Sequence, residues 1–227
     1  MKTLIVSATR DKSKYKTHLF KSVKTLEQSD VDLEMHTSNK SSLPTIYNKY
    51  MCQEYYSKYE CMLFVHDDVY IDDTRFGSKI KKLFGEGFGV VGLAGADNVR
   101  IKRPALWHIM AEQSGWSGAV AHPFSNNKNQ IYVTSFGPAP KRCIIMDGLF
   151  LAIDTKVFKD TEVKFDTQFD FHHYDMDFCL QCNDNKIKLT TSTINVVHNS
   201  PGLFSAEDPV FVRSQDRFIK KYAKTGS

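Results

Sequence analysis

The run Phe64-Val65-His66-Asp67-Asp68-Val69 is the segment that most restricts what this chain can become. An apolar strand, Glu60 to Val65, stops at an imidazole and two carboxylates. Packing gives no reason for that ending. Open α/β sheets bind ligands at the carboxyl ends of their strands, and hard oxygen donors there suit Mg²⁺ or Mn²⁺ holding a diphosphate. An isolated Asp-Asp pair is more often a solvated turn, so the surrounding chain has to decide between the two.

Apolar strands alternate with helical patterns along the first hundred residues. Thr3 to Ser7 reads as a buried strand, Ala8-Thr9-Arg10-Asp11 as its loop, and a Lys-rich helix follows to about Gln28. Val31 to His36 is a second strand. Ser42-Leu43-Pro44 opens a helix with a hydroxyl cap and an early proline, and Tyr47, Tyr50, Met51 and Tyr55 recur on a helical period as its core face. Beyond the Glu60 to Val65 strand come a helix from Gly77 to Phe84 and a glycine-punctuated strand from Phe88 to Ala94. This order predicts an α/β fold with a mostly parallel central sheet flanked by helices.

The pattern changes after Asp97. From Arg100 to Pro140 the chain is rich in Gly, Pro, Asn and aromatic residues, with short strands such as Gln130 to Thr134, and loops of that kind build pockets on a rigid sheet. Cys143 to Met146, Leu149 to Ile153 and Thr193 to Val197 read as further strands, and Phe178 to Asn183 as an amphipathic helix. Polar clusters stand at their ends: Asp147-Gly148, Phe169 to Asp177, and His198-Asn199-Ser200.

Composition narrows the function classes. At 227 residues and 41% hydrophobic content the chain can bury a core and is expected to form one domain of two halves. A net charge of +4 is too mild for a dedicated nucleic-acid binder but suits anionic ligands. Lys12, Lys14, Lys16, Lys21 and Lys24, and Arg213, Arg217, Lys220, Lys221 and Lys224, read as solvated helix faces, with weak attraction to a membrane surface as the lesser reading. Five cysteines without framework spacing point to a reduced, cytoplasmic setting, and Cys179 and Cys182 read as buried helix residues. Leu4-Ile5-Val6 stops at Ser7, which predicts no signal peptide and no membrane span.

Taken in order, these motifs resemble the nucleotide-sugar-dependent glycosyltransferases of the GT-A fold, and among them the family 2-like, StrF-type group. The resemblance is carried by Tyr47-Asn48 before the strand that ends in Phe64 to Val69, by Val91-Gly92-Leu93-Ala94-Gly95, and by Asp147-Gly148. It continues through Phe169 to Cys179, with one extra residue after the first Phe, and closes on His198-Asn199-Ser200-Pro201-Gly202. It therefore spans nearly the whole chain.

The resemblance implies a GT-A domain over 1–227, with 1–100 binding the nucleotide-sugar and 101–227 binding the acceptor and supplying catalysis. His66-x-Asp68 would occupy the place of the family's Asp-x-Asp motif, with Asp68 and His198 as ligands to Mn²⁺ or Mg²⁺ on the donor diphosphate. Histidine at the first position departs from that pattern, which leaves open whether His66 touches ribose, reaches the metal through water, or packs. Ala8, Thr9, Arg10, Asn48, His66, Asp67 and Asp68 would bind the donor, a UDP-sugar in preference to a GDP-sugar. Asp147, Gly148, His173 and Trp116 would bind a glycan or small hydroxyl acceptor, and Asp175 would be the base, just before a helix. Asp177 reads as a helix cap, Trp107, Trp116 and Tyr132 as packing or sugar-stacking residues, and Ser200 to Pro209 as a lid. Two rivals remain at this level: a metal-dependent phosphoester hydrolase, because strand ends rich in Asp and His also build two-metal sites, and a binding module without chemistry.

Overall fold

The structure is a computed structural model that describes residues 1–26, 30–102, 104–127, 130–200 and 207–222. Its first third alternates strand and helix: β1 (Thr3–Ala8), α1 (His18–Leu26), β2 (Val31–His36), α2 (Leu43–Tyr47), α3 (Gln53–Lys58) and β3 (Cys61–Val65). β4 (Val69–Ile71), α4 (Phe76–Gly85), β5 (Val90–Gly92) and β6 (Ala94–Ala96) follow. The middle holds α5 (Trp107–Met110) and the paired strands β7 (Trp116–Pro123) and β8 (Ile131–Gly137). The remainder is β9 (Arg142–Cys143), β10 (Ile145–Met146), β11 (Phe150–Asp154), α6 (Thr155–Phe158), α7 (Tyr174–Asp184), β12 (Leu189–Thr191), β13 (Val196–His198) and α8 (Pro209–Tyr222).

Two sheets organise these elements. The seven-stranded sheet has the order β2-β1-β3-β11-β5-β12-β9, with β1 parallel to β2 and β3, β5 parallel to β12, and β11 and β9 antiparallel to their neighbours. β1 and β3 are apolar along most of their length and buried on both faces, as strands sandwiched between helices must be. The second sheet runs β10-β6-β7-β13-β4, with β8 pairing β7, and is antiparallel except where β13 runs beside β7. β11 lies between β3 and β5, so the two sequence halves share one sheet.

Several elements differ from the sequence expectation for identifiable reasons. The single strand expected over Phe88 to Ala94 is split into β5 and β6, which belong to different sheets, and Cys143 to Met146 is split likewise into β9 and β10. Gly95 sits at the crossing: a Cβ there would collide with the Ile145 carbonyl oxygen and with the Met146 side chain. Ser42 does cap α2, accepting from the Thr45 N–H at 3.3 Å, but the helix ends at Tyr47 and a turn precedes α3. α7 begins at Tyr174, so Asp175 lies in its first turn rather than before it. β8 is an exposed, uncharged ribbon edge, with Ile131, Tyr132 and Val133 facing solvent.

Two devices hold α7 against the sheets. The first is Gly148, whose missing side chain leaves room for the Tyr174 hydroxyl; an added Cβ would also approach the Asp175 Cβ to 2.8 Å. The second is α8. Asp177 is 0% exposed and does not cap the helix: it takes Lys221 Nζ at 2.6 Å, the Tyr222 hydroxyl at 2.7 Å and Gln181 Nε2 at 2.7 Å. Lys221 also reaches Asp166 at 2.6 Å, so this cation is a clamp rather than a solvated surface charge. Cys179 and Cys182 are buried in α7, and burial pushes both thiols up, away from redox or ligand chemistry.

Lys221→Ala should cost about 3 kcal/mol, because it leaves a buried carboxylate without its cation; urea unfolding reads the loss, and a change within 0.5 kcal/mol, the usual surface range, would show that the clamp is not energetic. Gly148→Ala should cost about 1–3 kcal/mol by overpacking, seen as a lower urea midpoint with an unchanged slope.

Candidate active site

The geometry begins with strand pairing. β13 lies antiparallel to β4 with His198 opposite Val69, and the Asn199 N–H donates to the Asp68 carbonyl at 2.9 Å. This ladder brings His198 beside Asp68 across 130 residues of sequence. β11 lies antiparallel to β3, and the His66 N–H donates to the Leu149 carbonyl at 3.1 Å. That pairing sets Asp147-Gly148 beside His66. α7, entering from His173, then faces its first turn to the same place.

His173 makes that entry sharp. It stands at the helix N-cap with φ 64°, a left-handed conformation that is uncommon for a residue with a Cβ. Its ring, 1% exposed, is held under α8 by Ser214 Oγ at 2.9 Å from Nδ1 and by Phe211. Burial, with His172 adding to it, depresses its pKa to about 4, so the ring is neutral.

The result is a cleft of about 360 Å³ whose lining includes His66, Asp68, Asp147, Asp175 and His198. Trp107, Phe171 and Phe211 supply an apolar wall, and Phe171 is half exposed with its ring stacked on His66. One ligand-capable atom from each of His66, Asp68 and His198 lies within 4.8 Å of the other two. His198 Nε2 is 3.3 Å from Asp68 Oδ1, yet that oxygen is buried without a partner in hydrogen-bonding geometry. A carboxylate and an imidazole that approach as an ion pair, with a second imidazole nearby, suit a shared cation.

Electrostatics divides the cleft. Burial would push Asp68 up, but His198 beside it, helped by His66, holds it below its ordinary value. Burial would lower His198, but Asp68 outweighs it and raises the imidazole. His66 is lowered by burial. On the α7 side, Asp175 accepts the Gly148 N–H at 2.8 Å and the Met176 N–H at 2.9 Å. Burial, reinforced by the charge of Asp147, nevertheless lifts Asp175 to about 7. Asp147 is itself held by Trp107 Nε1 at 3.0 Å and by the Leu149 N–H at 2.9 Å.

The other residues singled out from sequence fall elsewhere. Ala8, Thr9 and Arg10 sit at the end of β1, and the buried Thr9 side chain bonds Asp67, which burial raises. Asn48 spends its carboxamide on Phe165, donating to the carbonyl at 2.7 Å and accepting the N–H at 3.0 Å, so it works as a tie between loops. Gly148 is buried and meets Asp175 rather than open space. Trp116 packs with Trp107 and Phe136 and does not line the cleft, and Tyr132 is exposed, stacked on His122. Ser200 borders the cleft, but the greater part of the expected lid, 201–206, lies outside the described residues.

Sequence reasoning passed over Tyr174, whose hydroxyl lies 3.0 Å from His66 Nε2, Phe171 on the His66 ring, and His122, whose ring centroid is 5.7 Å from that of His198. The first two stood inside a quoted motif without a role. His122 had no local signal, because only the β7–β13 pairing brings it near.

No curated protein matches this sequence. Among solved structures, A197 from STIV superposes with a TM-score of 0.52 at 11% identity, over 92% of this chain and 100% of that one. Residues 1–349 of S. aureus TarS align over 100% of this chain and 74% of theirs, at 13% identity and a TM-score of 0.49, which carries no argument. The first likeness speaks for the fold alone, a mixed α/β arrangement of two sheets and flanking helices as in GT-A glycosyltransferases. The profile of the "Glycosyltransferase like family" matches residues 4–222; the chain belongs to that family, and it is an enzyme of glycosyl transfer.

Proposed function

We propose that this glycosyltransferase is metal-dependent and inverting, and that it moves a sugar from a nucleoside diphosphate, UDP in preference to GDP, to a hydroxyl acceptor. The observation that carries the reading is the convergence of Asp68, His198 and Asp175 on one cleft from three distant stretches of sequence. Asp68 and His198, joined by His66, would hold the cation. Two imidazoles and one carboxylate fit Mn²⁺ better than Mg²⁺, which prefers an all-oxygen shell. When bound, the cation neutralises charge on the departing diphosphate.

Asp175 is the base. The acceptor oxygen forms its bond to the anomeric carbon as the bond from that carbon to the diphosphate oxygen breaks, and the acceptor proton passes to Asp175. A carboxylate lifted to about 7 suits proton abstraction near neutral pH. Asp147, fixed by Trp107, keeps Asp175 high and faces the acceptor side. Ala8, Thr9 and the exposed Arg10, with Asp67 behind them, are assigned to the nucleoside end at the strand carboxyl ends.

Asp175→Asn should lower transfer by about 10²- to 10⁴-fold while leaving donor binding intact; near wild-type turnover removes Asp175 from the mechanism. The base acts only when ionised, and its pKa is raised, so the rate limb moves toward neutral: kcat/KM should climb about tenfold between roughly pH 6 and 8 in the wild type, and Asp147→Asn should shift that limb to lower pH. A profile flat across this range would count against the pair. Calorimetry with UDP should show binding strengthened by Mn²⁺ more than by Mg²⁺, with the enhancement gone in Asp68→Ala. Enhancement that survives the substitution would put the cation elsewhere.

A further inference from the structure

Tyr174 is buried between the two ends of the cleft, next to Asp175 in sequence, and its single hydroxyl meets two partners in hydrogen-bonding geometry, with the buried Tyr47 hydroxyl as a further polar neighbour. It donates to the Gly148 carbonyl at 3.2 Å and lies 3.0 Å from His66 Nε2. A phenol has one hydrogen to give. The carbonyl can only accept, so the hydrogen belongs on the Gly148 side and the oxygen lone pair is what remains for the imidazole. His66 must then be the donor of the second bond. The alternative, in which Tyr174 turns its hydrogen to a bare His66 Nε2, takes from the Gly148 carbonyl the donor that meets it, and a buried carbonyl without a donor is costly. The crowding is tight enough to fix the arrangement: a Cβ on Gly148 would strike the hydroxyl itself, and the Tyr174 ring is wedged against Tyr47 and Phe165.

We propose that Tyr174 is a positioning residue: by giving its hydrogen to Gly148, its hydroxyl obliges His66 to carry the ring proton on Nε2 and leaves Nδ1 as the only open lone pair of that ring. The inference rests on the proposed function in one respect, that His66 belongs to the cation-binding end; a cation held by His66 then takes Nδ1. A metal-bound histidine characteristically donates its other ring N–H to a fixed acceptor, which sets its tautomer and orientation. The two backbone groups of one residue serve both ends of the reaction. The Gly148 carbonyl takes the Tyr174 hydrogen, while the Gly148 N–H holds Asp175 Oδ2 at 2.8 Å. A single hydroxyl thus ties the imidazole beside the cation to the loop that orients the base.

The test uses the full chain with ¹⁵N-labelled histidine, free of metal, at one pH near 8. Long-range proton–nitrogen correlation assigns the tautomer of each ring, and His66→Gln identifies the His66 signals. The wild type should show His66 protonated on Nε2 and bare on Nδ1; a His66 protonated on Nδ1 overturns the proposal whatever any variant does. Tyr174→Phe keeps the ring and removes the hydroxyl. It should shift His66 to a mixture of tautomers and weaken binding of Mn²⁺ alone, followed by electron paramagnetic resonance, about 10- to 100-fold. An unaltered His66 tautomer or an unaltered Mn²⁺ affinity in Tyr174→Phe overturns the positioning role. Should Tyr174→Phe fail to fold, the wild-type spectrum still decides the tautomer. A wild type that shows the expected tautomer but binds no Mn²⁺ instead defeats the metal-dependent reading and leaves the tautomer assignment standing.

Discussion

The close approach of Gly148 to the first turn of α7 is the contact on which the cleft depends. β11 brings this glycine alongside β3, and only a residue without a side chain lets the Tyr174 hydroxyl and the Asp175 Cβ come so near. Its two backbone groups are both spent on α7 side chains. Moving α7 outward by the width of a methyl group would break both bonds and carry Asp175 away from Asp147. The distance between sheet and helix is therefore set by backbone contact, which is stiffer than contact between flexible side chains.

Around that contact the cleft separates its charges. At the β3 and β13 ends, an acid and a histidine each favour the other's charged form, Asp68 lying below its ordinary value and His198 above. At the α7 end, two acids face each other in buried surroundings, and Asp175 responds by holding its proton toward neutrality. The same side-chain chemistry thus has opposite protonation tendencies within one cavity, which is how a site can keep one carboxylate as a ligand and another as a proton acceptor.

Much of this was legible in the sequence, and the limits are physical. The strands β1 and β3 were readable as apolar runs with a polar stop and β2 as a strict apolar–polar alternation, and Asp68, His198 and Asp175 stood out because each lies at the end or the start of a regular element. The split of β5 from β6 was not readable: a strand that changes sheets keeps its apolar pattern while changing partners. Asp177 looked like a cap because caps are local, whereas its partners Lys221 and Tyr222 lie more than forty residues further on, on α8. Asn48 kept its motif position but proved to be a backbone tie, since a motif gives a residue's place and not the direction of its side chain.

The α8 clamp has a consequence for how the enzyme comes into being. A nascent polypeptide that has emerged only as far as Asp184 already contains Asp68, Asp147 and Asp175, but neither His198 nor Lys221. In that state Asp177 lacks the Lys221 cation that offsets its burial, and Asp68 has His66 but not His198 beside it. The buried carboxylate of α7 therefore gains its cation only from the far end of the chain, and the last helix is part of what holds the cleft's floor in place.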